Sequence, residues 1–159
     1  METLKSFLIL FLSITLTFCS SSSTHKKKIV LVTAEKYYND YIDNGNKADS
    51  LYKDKEIYIT GIADTFTTEC VGNLCVTSLL IYAVNCDSIL YYISHKEKYK
   101  DIGNIEDWMP KVTVDFPDSV NWLHDTFAKP HQKITIKGIG NGRVNADVFV
   151  KDSRLIKVY

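Results

Sequence analysis

Charge of one sign is what this chain most plainly lacks: nineteen lysines and arginines stand against nineteen aspartates and glutamates in 159 residues. With no global field to draw in nucleic acid or an anionic membrane, any such attraction has to be local. Proline and glycine are sparse, three and seven respectively, which excludes a low-complexity or collagen-like chain. No GxSxG elbow, P-loop or GxGxxG occurs, so the usual sequence routes to hydrolase, phosphate-transfer and dinucleotide chemistry are missing. The longest apolar run, Phe7 to Phe18, is broken only by Ser13, Thr15 and Thr17. It falls well short of the roughly 20 residues a membrane-spanning helix needs.

What is present at the N-terminus is a processing signal. Lys5 precedes that run, and Ser20 to Thr24 is a small polar patch after it. Leu16-Thr-Phe-Cys19 followed by serines resembles the lipobox of bacterial lipoproteins, with Phe18 standing where that family has a small residue. The resemblance implies removal of residues 1–19, diacylation of the Cys19 thiol and a membrane-anchored lipoprotein of the cell envelope. The alternative is a plain secretory signal cut within Cys19 to Ser22, giving a soluble exported protein. Residues 20–32 read as a tether that carries Lys26, Lys27 and Lys28, and residues 33–159 as one domain.

Within the domain, Thr33 is a candidate helix N-cap. Ala34, Tyr37, Tyr38, Tyr41, Ile42, Ala48, Leu51 and Tyr52 follow at three- and four-residue spacing, which predicts an amphipathic helix with Gly45 on its buried stripe as a close contact or kink. Two stretches then echo each other. Lys55 to Gly61 places Ile57 and Ile59 on one strand face with a glycine two residues on, and Lys133 to Gly138 does the same with Ile134 and Ile136. Gly61 and Gly138 are thus expected to bend their strands where the inward face loses a side chain. Further strands are expected over Val76 to Val84, Ser88 to Ser94, Lys111 to Phe116 and Val148 to Tyr159, with turns at Gly72-Asn73 and Asn141-Gly142 and a short helix from Pro117 through Phe127. The expected class is mainly β with helices: a five-stranded OB-fold barrel, with an N-terminal amphipathic helix and a short helix between strands 3 and 4.

The run Thr33-Ala-Glu35, Tyr41, Asn44, Ala48-Asp49, Tyr52-Lys-Asp-Lys55 and Thr60-Gly61 resembles the tRNA-anticodon-like OB-fold family of bacterial envelope proteins, and Lys133 to Gly138 with Asp147 to Lys151 matches its second half more loosely. The resemblance implies the barrel and the envelope location; nucleic-acid binding does not follow from the family's name alone.

Candidate chemistry is thin. Cys70 and Cys75 bracket a turn, so a disulfide between them is geometrically easy in an exported protein, leaving Cys86 free. Three unpaired thiols, or a zinc site built from Cys70, Cys75, Cys86 and His95, are the alternatives, the second weak because only one ligand pair has a short gap. His124-Asp125 has no nucleophile elbow beside it, and adjacent helix residues do not face each other. No catalytic residue, metal or cofactor is expected. If a binding face exists, Tyr82, Tyr91, Tyr92 and Arg143 at the mouth of the barrel are its candidates. The partner is then an envelope protein or ligand; single-stranded nucleic acid is the alternative, opposed by Glu97, Asp101, Glu106 and Asp107 among the lysines.

Overall fold

The computed structural model describes residues 29–71, 74–102, 104–117 and 129–159. Six strands and two α-helices follow in the order β1 (Val30–Thr33), α1 (Ala34–Tyr52), β2 (Glu56–Val71), β3 (Leu74–Tyr82), α2 (Cys86–Ser94), β4 (Lys111–Phe116), β5 (Lys133–Val144) and β6 (Asp147–Val158), with short 3-10 turns over Lys96–Ile102 and Ile105–Trp108. The protein is mainly β.

The two echoing stretches pair with each other. In the antiparallel β2–β5 register Ile57 stands opposite Gly138, Ile59 opposite Ile136 and Gly61 opposite Ile134. All four isoleucines are fully buried, so a pair of period-2 patterns becomes one continuous apolar strip. β2 continues into antiparallel pairing with β3, β3 with β4, β4 runs parallel to β6, and β6 is antiparallel to β5. The β2–β5 ladder therefore closes a ring of five strands. β1 lies outside it, parallel to β2. Val30 to Val32, expected to belong to the tether, are part of the sheet because Val32 is buried against the core.

Both glycines serve close approach. A Cβ on Gly61 would collide with Ile81 Cγ2 and lie 3.0 Å from Ala34 Cβ; one on Gly138 would meet Ser153 Oγ at 2.5 Å and Val150 Cγ1 at 2.6 Å. They let neighbouring layers touch the closing ladder. Asn141-Gly142, expected as a turn, instead sits inside β5 at a register shift, with Gly142 at φ +89°. The reversal falls at Asn145-Ala146, where Asn145 takes the left-handed conformation that asparagine tolerates.

Helix α1 packs on the interior of the ring. Thr33 Oγ1 accepts from Lys36 N at 3.1 Å and caps it. Tyr37, Tyr41 and Tyr52 bury their rings in mutual contact, with centroids 5.0 to 6.2 Å apart, and the Tyr37 hydroxyl donates to the Phe149 carbonyl at 2.9 Å. Burial, followed by the neighbouring Tyr41, pushes the Tyr37 hydroxyl far above the ordinary tyrosine range, so it remains a neutral donor. The expected kink is real and lies at Asn44, whose backbone is non-helical and whose Oδ1 caps Lys47 N at 3.1 Å. Gly45 makes no close contact. Ile42, before the kink, and Leu51, after it, were expected on the buried stripe but are exposed.

The stretch 88–94, expected as a strand, is helix α2. Asn85 Oδ1 accepts from Asp87 N and Ser88 N, and Ile89 and Tyr92, one turn apart, bury on one face. A five-residue apolar run, Ile89 to Ile93, is ambiguous between strand and helix, and the cap decides it. The helix expected over Pro117 to Phe127 falls largely outside the described residues. Cys70 is disulfide-bonded, and Cys75 is its ladder partner directly across the β2–β3 hairpin. Cys86 is free and partly buried; burial, with Asp87 and Glu35 nearby, raises its thiol above the ordinary range.

Gly61→Val adds three carbons where none fits and is expected to lower stability by at least about 1–3 kcal/mol, read as a reduced denaturation midpoint. In the domain lacking residues 1–19, which keeps Cys70, Cys75 and Cys86, unfolding without reductant is expected to expose one alkylatable thiol, and unfolding after reduction three. Three thiols before reduction would exclude the hairpin disulfide.

Candidate functional site

The outer face of β3 and β4 is split in two. Along β4 the alternation of Lys111, Thr113 and Asp115 with buried Val112, Val114 and Phe116 puts the polar set outward. On β3 the matching outward residues are Ser78, Leu80 and Tyr82, paired with Asp115, Thr113 and Lys111. The Tyr82 end is roofed by the segment between β3 and β4. A second apolar cluster forms there from Ile62, Tyr82, Ile89 and Tyr92, with Tyr99, Ile105 and Met109 packed against it.

Under that roof lies a polar knot. The Tyr82 hydroxyl donates to Asp64 Oδ1 at 2.8 Å and stands 3.4 Å from Glu106 Oε2. Lys111 Nζ lies 2.7 Å from Asp64 Oδ2 and 5.3 Å from the Tyr82 ring centroid. Glu106 in turn holds Lys96 at 3.1 Å, with His131 Nε2 3.7 Å away. Burial first, then the Asp64 and Glu106 carboxylates, drive the Tyr82 hydroxyl far above its ordinary range. Asp64 is thus a buried carboxylate with two committed partners, and Glu106 ties the roof to the sheet. The arrangement fixes the segment in place.

Below the roof the same face is open. A groove of about 560 Å³ is lined by Thr67 and Glu69 of β2, Val76, Ser78 and Leu80 of β3, Thr113 and Asp115 of β4, and Asp147 and Phe149 of β6. Its apolar groups are Val76, Leu80 and Phe149. Three carboxylates accompany them, and Ser78 donates to Asp115 at 2.7 Å. Its described lining residues include no lysine or arginine. The geometry suits an uncharged or cationic extended ligand and repels a phosphodiester backbone.

The four residues expected to share a binding face do not. Tyr82 is fully buried and held by Asp64. Tyr92 packs under the roof 5.5 Å from Tyr99. Tyr91, 53% exposed, stacks on His95 at 4.2 Å on the outside of α2. Arg143 is two strands away in the sheet order, its Nε donating to the Asn145 carbonyl at 2.7 Å, beside a separate cleft of about 330 Å³ against Tyr41, Asn46 and Asp49 of α1. Reading Ser88 to Ser94 as a strand is what brought the tyrosines together. Asp64, Glu106 and Lys111 went unrecognised because their convergence depends on the roof; Ser78, Thr113 and Asp115 were accessible from strand parity alone. Among the described residues no group of three His, Cys, Asp or Glu side chains is arranged to hold a metal.

The structure is thus a closed ring of five strands packed against a helix, with an acidic groove on its outer face. The chain belongs to the tRNA_anti-like family, whose model matches residues 6–86. Among solved structures it is similar to a lipoprotein from Klebsiella pneumoniae subsp. pneumoniae that is proposed to bind nucleic acid: TM-score 0.56 and 10% identity, over 81% of this chain and 92% of that one, a likeness of fold. A chain of the yeast Stn1 and Ten1 structure is matched at TM-score 0.42 and 12% identity, over 82% of this chain and 64% of that one, too weak to bear on function. No curated protein matches the sequence.

Removing Lys111 leaves the Asp64 charge buried with only a tyrosine for company, so Lys111→Met is expected to cost about 3–5 kcal/mol. Tyr82→Phe removes one hydrogen bond to a charged group and is expected to cost about 1.5–3 kcal/mol. Chemical denaturation of the two variants checks both the sign and the order.

Proposed function

We propose that this protein is an exported, non-catalytic binding module of the bacterial envelope, held at the membrane by lipid on Cys19, and that its five-strand ring is an OB barrel with the open groove as its ligand face. The groove is the observation that carries the reading: it crosses four strands and pairs apolar contact area with three carboxylates. OB barrels bind through the face of their second and third strands, which here correspond to β3 and β4. Its occupant, an envelope protein or small ligand, is uncharged or cationic along the contact. The absence of a catalytic role is inferred from Asp64 and Glu106, both tied to lysines. Export and anchoring rest on the lipobox-like Leu16 to Cys19 and are supported by the description of the Klebsiella protein as a lipoprotein. No helix among the described residues is long and apolar enough to cross a membrane.

A second reading is binding of single-stranded nucleic acid or another polyanion. The description of the Klebsiella protein points to it, and Lys137 beside Tyr58 and Lys133 beside Tyr159 offer it a surface. Titration of fluorescent single-stranded oligonucleotides at low and at physiological salt separates the two readings. The groove reading expects no saturable binding at physiological salt; tight, salt-sensitive binding abolished by charge reversal on β5 would transfer the function to the second reading.

A further inference from the structure

The outward face opposite the groove has the reverse charge. The registers align Leu31 of β1, Tyr58 of β2, Lys137 of β5 and Arg154 of β6 in one row, and Thr33, Thr60, Thr135 and Lys157 in the next. Lys137 Nζ lies 5.6 Å from the Tyr58 ring centroid, and Lys133 and Lys157 lie 5.7 and 4.1 Å from that of Tyr159. Tyr159 is 59% exposed, and its hydroxyl stands 3.3 Å from Thr135 Oγ1. Acids near this face include Glu56, which pairs with Lys137 at 2.9 Å, Asp152, and Asp54, 3.8 Å from Lys151; at its Lys133 end Asp87 and Glu35 lie around Cys86. Lys133, Lys157 and Arg154 remain as exposed cations beside exposed aromatic surface.

The edge of this face is β1, where Ile29 is exposed and Leu31 is 77% exposed. β1 is also where the chain enters the domain. Residues 20–28 separate Cys19 from Ile29 and include Lys26, Lys27 and Lys28. Nine residues fully extended reach at most about 30 Å. A domain on so short a lead, entering the fold beside a basic and aromatic face, stays within reach of the bilayer.

We propose that the outer face of β1, β2, β5 and β6 docks on the anionic lipid headgroups of the membrane that carries the anchor, turning the acidic groove away from it. Lys133, Lys157 and Arg154 meet the phosphates, Tyr159 and Tyr58 supply ring surface at the interface, and Leu31 enters the headgroup layer. This rests on the anchored reading given above. The acidic groove on the opposite side would be repelled by the same surface, so one charge separation both attracts and orients the domain.

The test uses the full mature chain in vesicles of phosphatidylcholine alone and of phosphatidylcholine with one quarter phosphatidylglycerol, labelled with an amine-acetylating reagent and read lysine by lysine by mass spectrometry. Labelling of Lys133 and Lys157 is expected to fall several-fold in the anionic vesicles at low salt and to recover at high salt, while exposed Lys53 labels equally throughout. Lys151 of the same β6 is expected to be protected likewise in the unaltered chain, and the double variant Lys133→Glu with Lys157→Glu, at two exposed positions that leave the core untouched, to lose that protection. Equal labelling of Lys133 and Lys157 in both vesicles would overturn the proposal. So would protection of these lysines by a single-stranded oligonucleotide combined with none by lipid, which assigns the face to nucleic acid. The mass of the N-terminal peptide reports the anchor separately: an unmodified N-terminus with the lipid-dependent protection intact removes the anchor and keeps the docking face.

Discussion

The structure depends on one ladder, the antiparallel pairing of β2 with β5. It is the joint at which a curled sheet becomes a ring, and a ring has no free edge to defend within the closed circuit. Its side chains are arranged so that isoleucine meets glycine at two positions and isoleucine at a third. Each glycine leaves room for a neighbouring layer, Ile81 and Ala34 at one end of the ladder and Val150 and Ser153 at the other. Helix α1 can then lay three tyrosine rings into the interior, and the Tyr37 hydroxyl reaches a β6 carbonyl. Sheet closure, helix docking and core composition are one constraint seen from three sides.

Formal neutrality conceals an ordered separation of charge. Carboxylates collect around the groove on β2, β3, β4 and β6, cations gather on the opposite side along β5 and β6, and between them Asp64, Lys111, Glu106 and Lys96 cancel pairwise beneath the α2 roof. A chain with no monopole can still have a strong dipole, and orientation is what a dipole responds to. Composition reports only the sum of the charges and carries no direction.

The strands were legible where period-2 alternation ran unbroken. Lys111 to Phe116 and the two echoing isoleucine strips could be read as they stand, and so could the first helix, from its cap and tyrosine spacing. The middle of the chain was not, because Ile89 to Ile93 is apolar at every step and no periodicity separates a strand from one buried turn of helix there. That one ambiguity displaced the proposed binding face, since Tyr91 and Tyr92 belong to a roof and not to the sheet. Long-range convergence was out of reach altogether: Asp64, Tyr82, Glu106 and Lys111 are drawn together by chain reversals that leave no local mark.

β1 has a mechanical meaning beyond its four residues. It lies outside the ring, pairing among the described residues only with β2, and is continuous with α1. A pull on the chain ahead of residue 29 is therefore borne first by that short parallel ladder and then by the buried tyrosines of α1, and the closing β2–β5 joint is off the load path. A domain built this way can yield at its leash, losing one strand, while the ring that carries the groove keeps its shape.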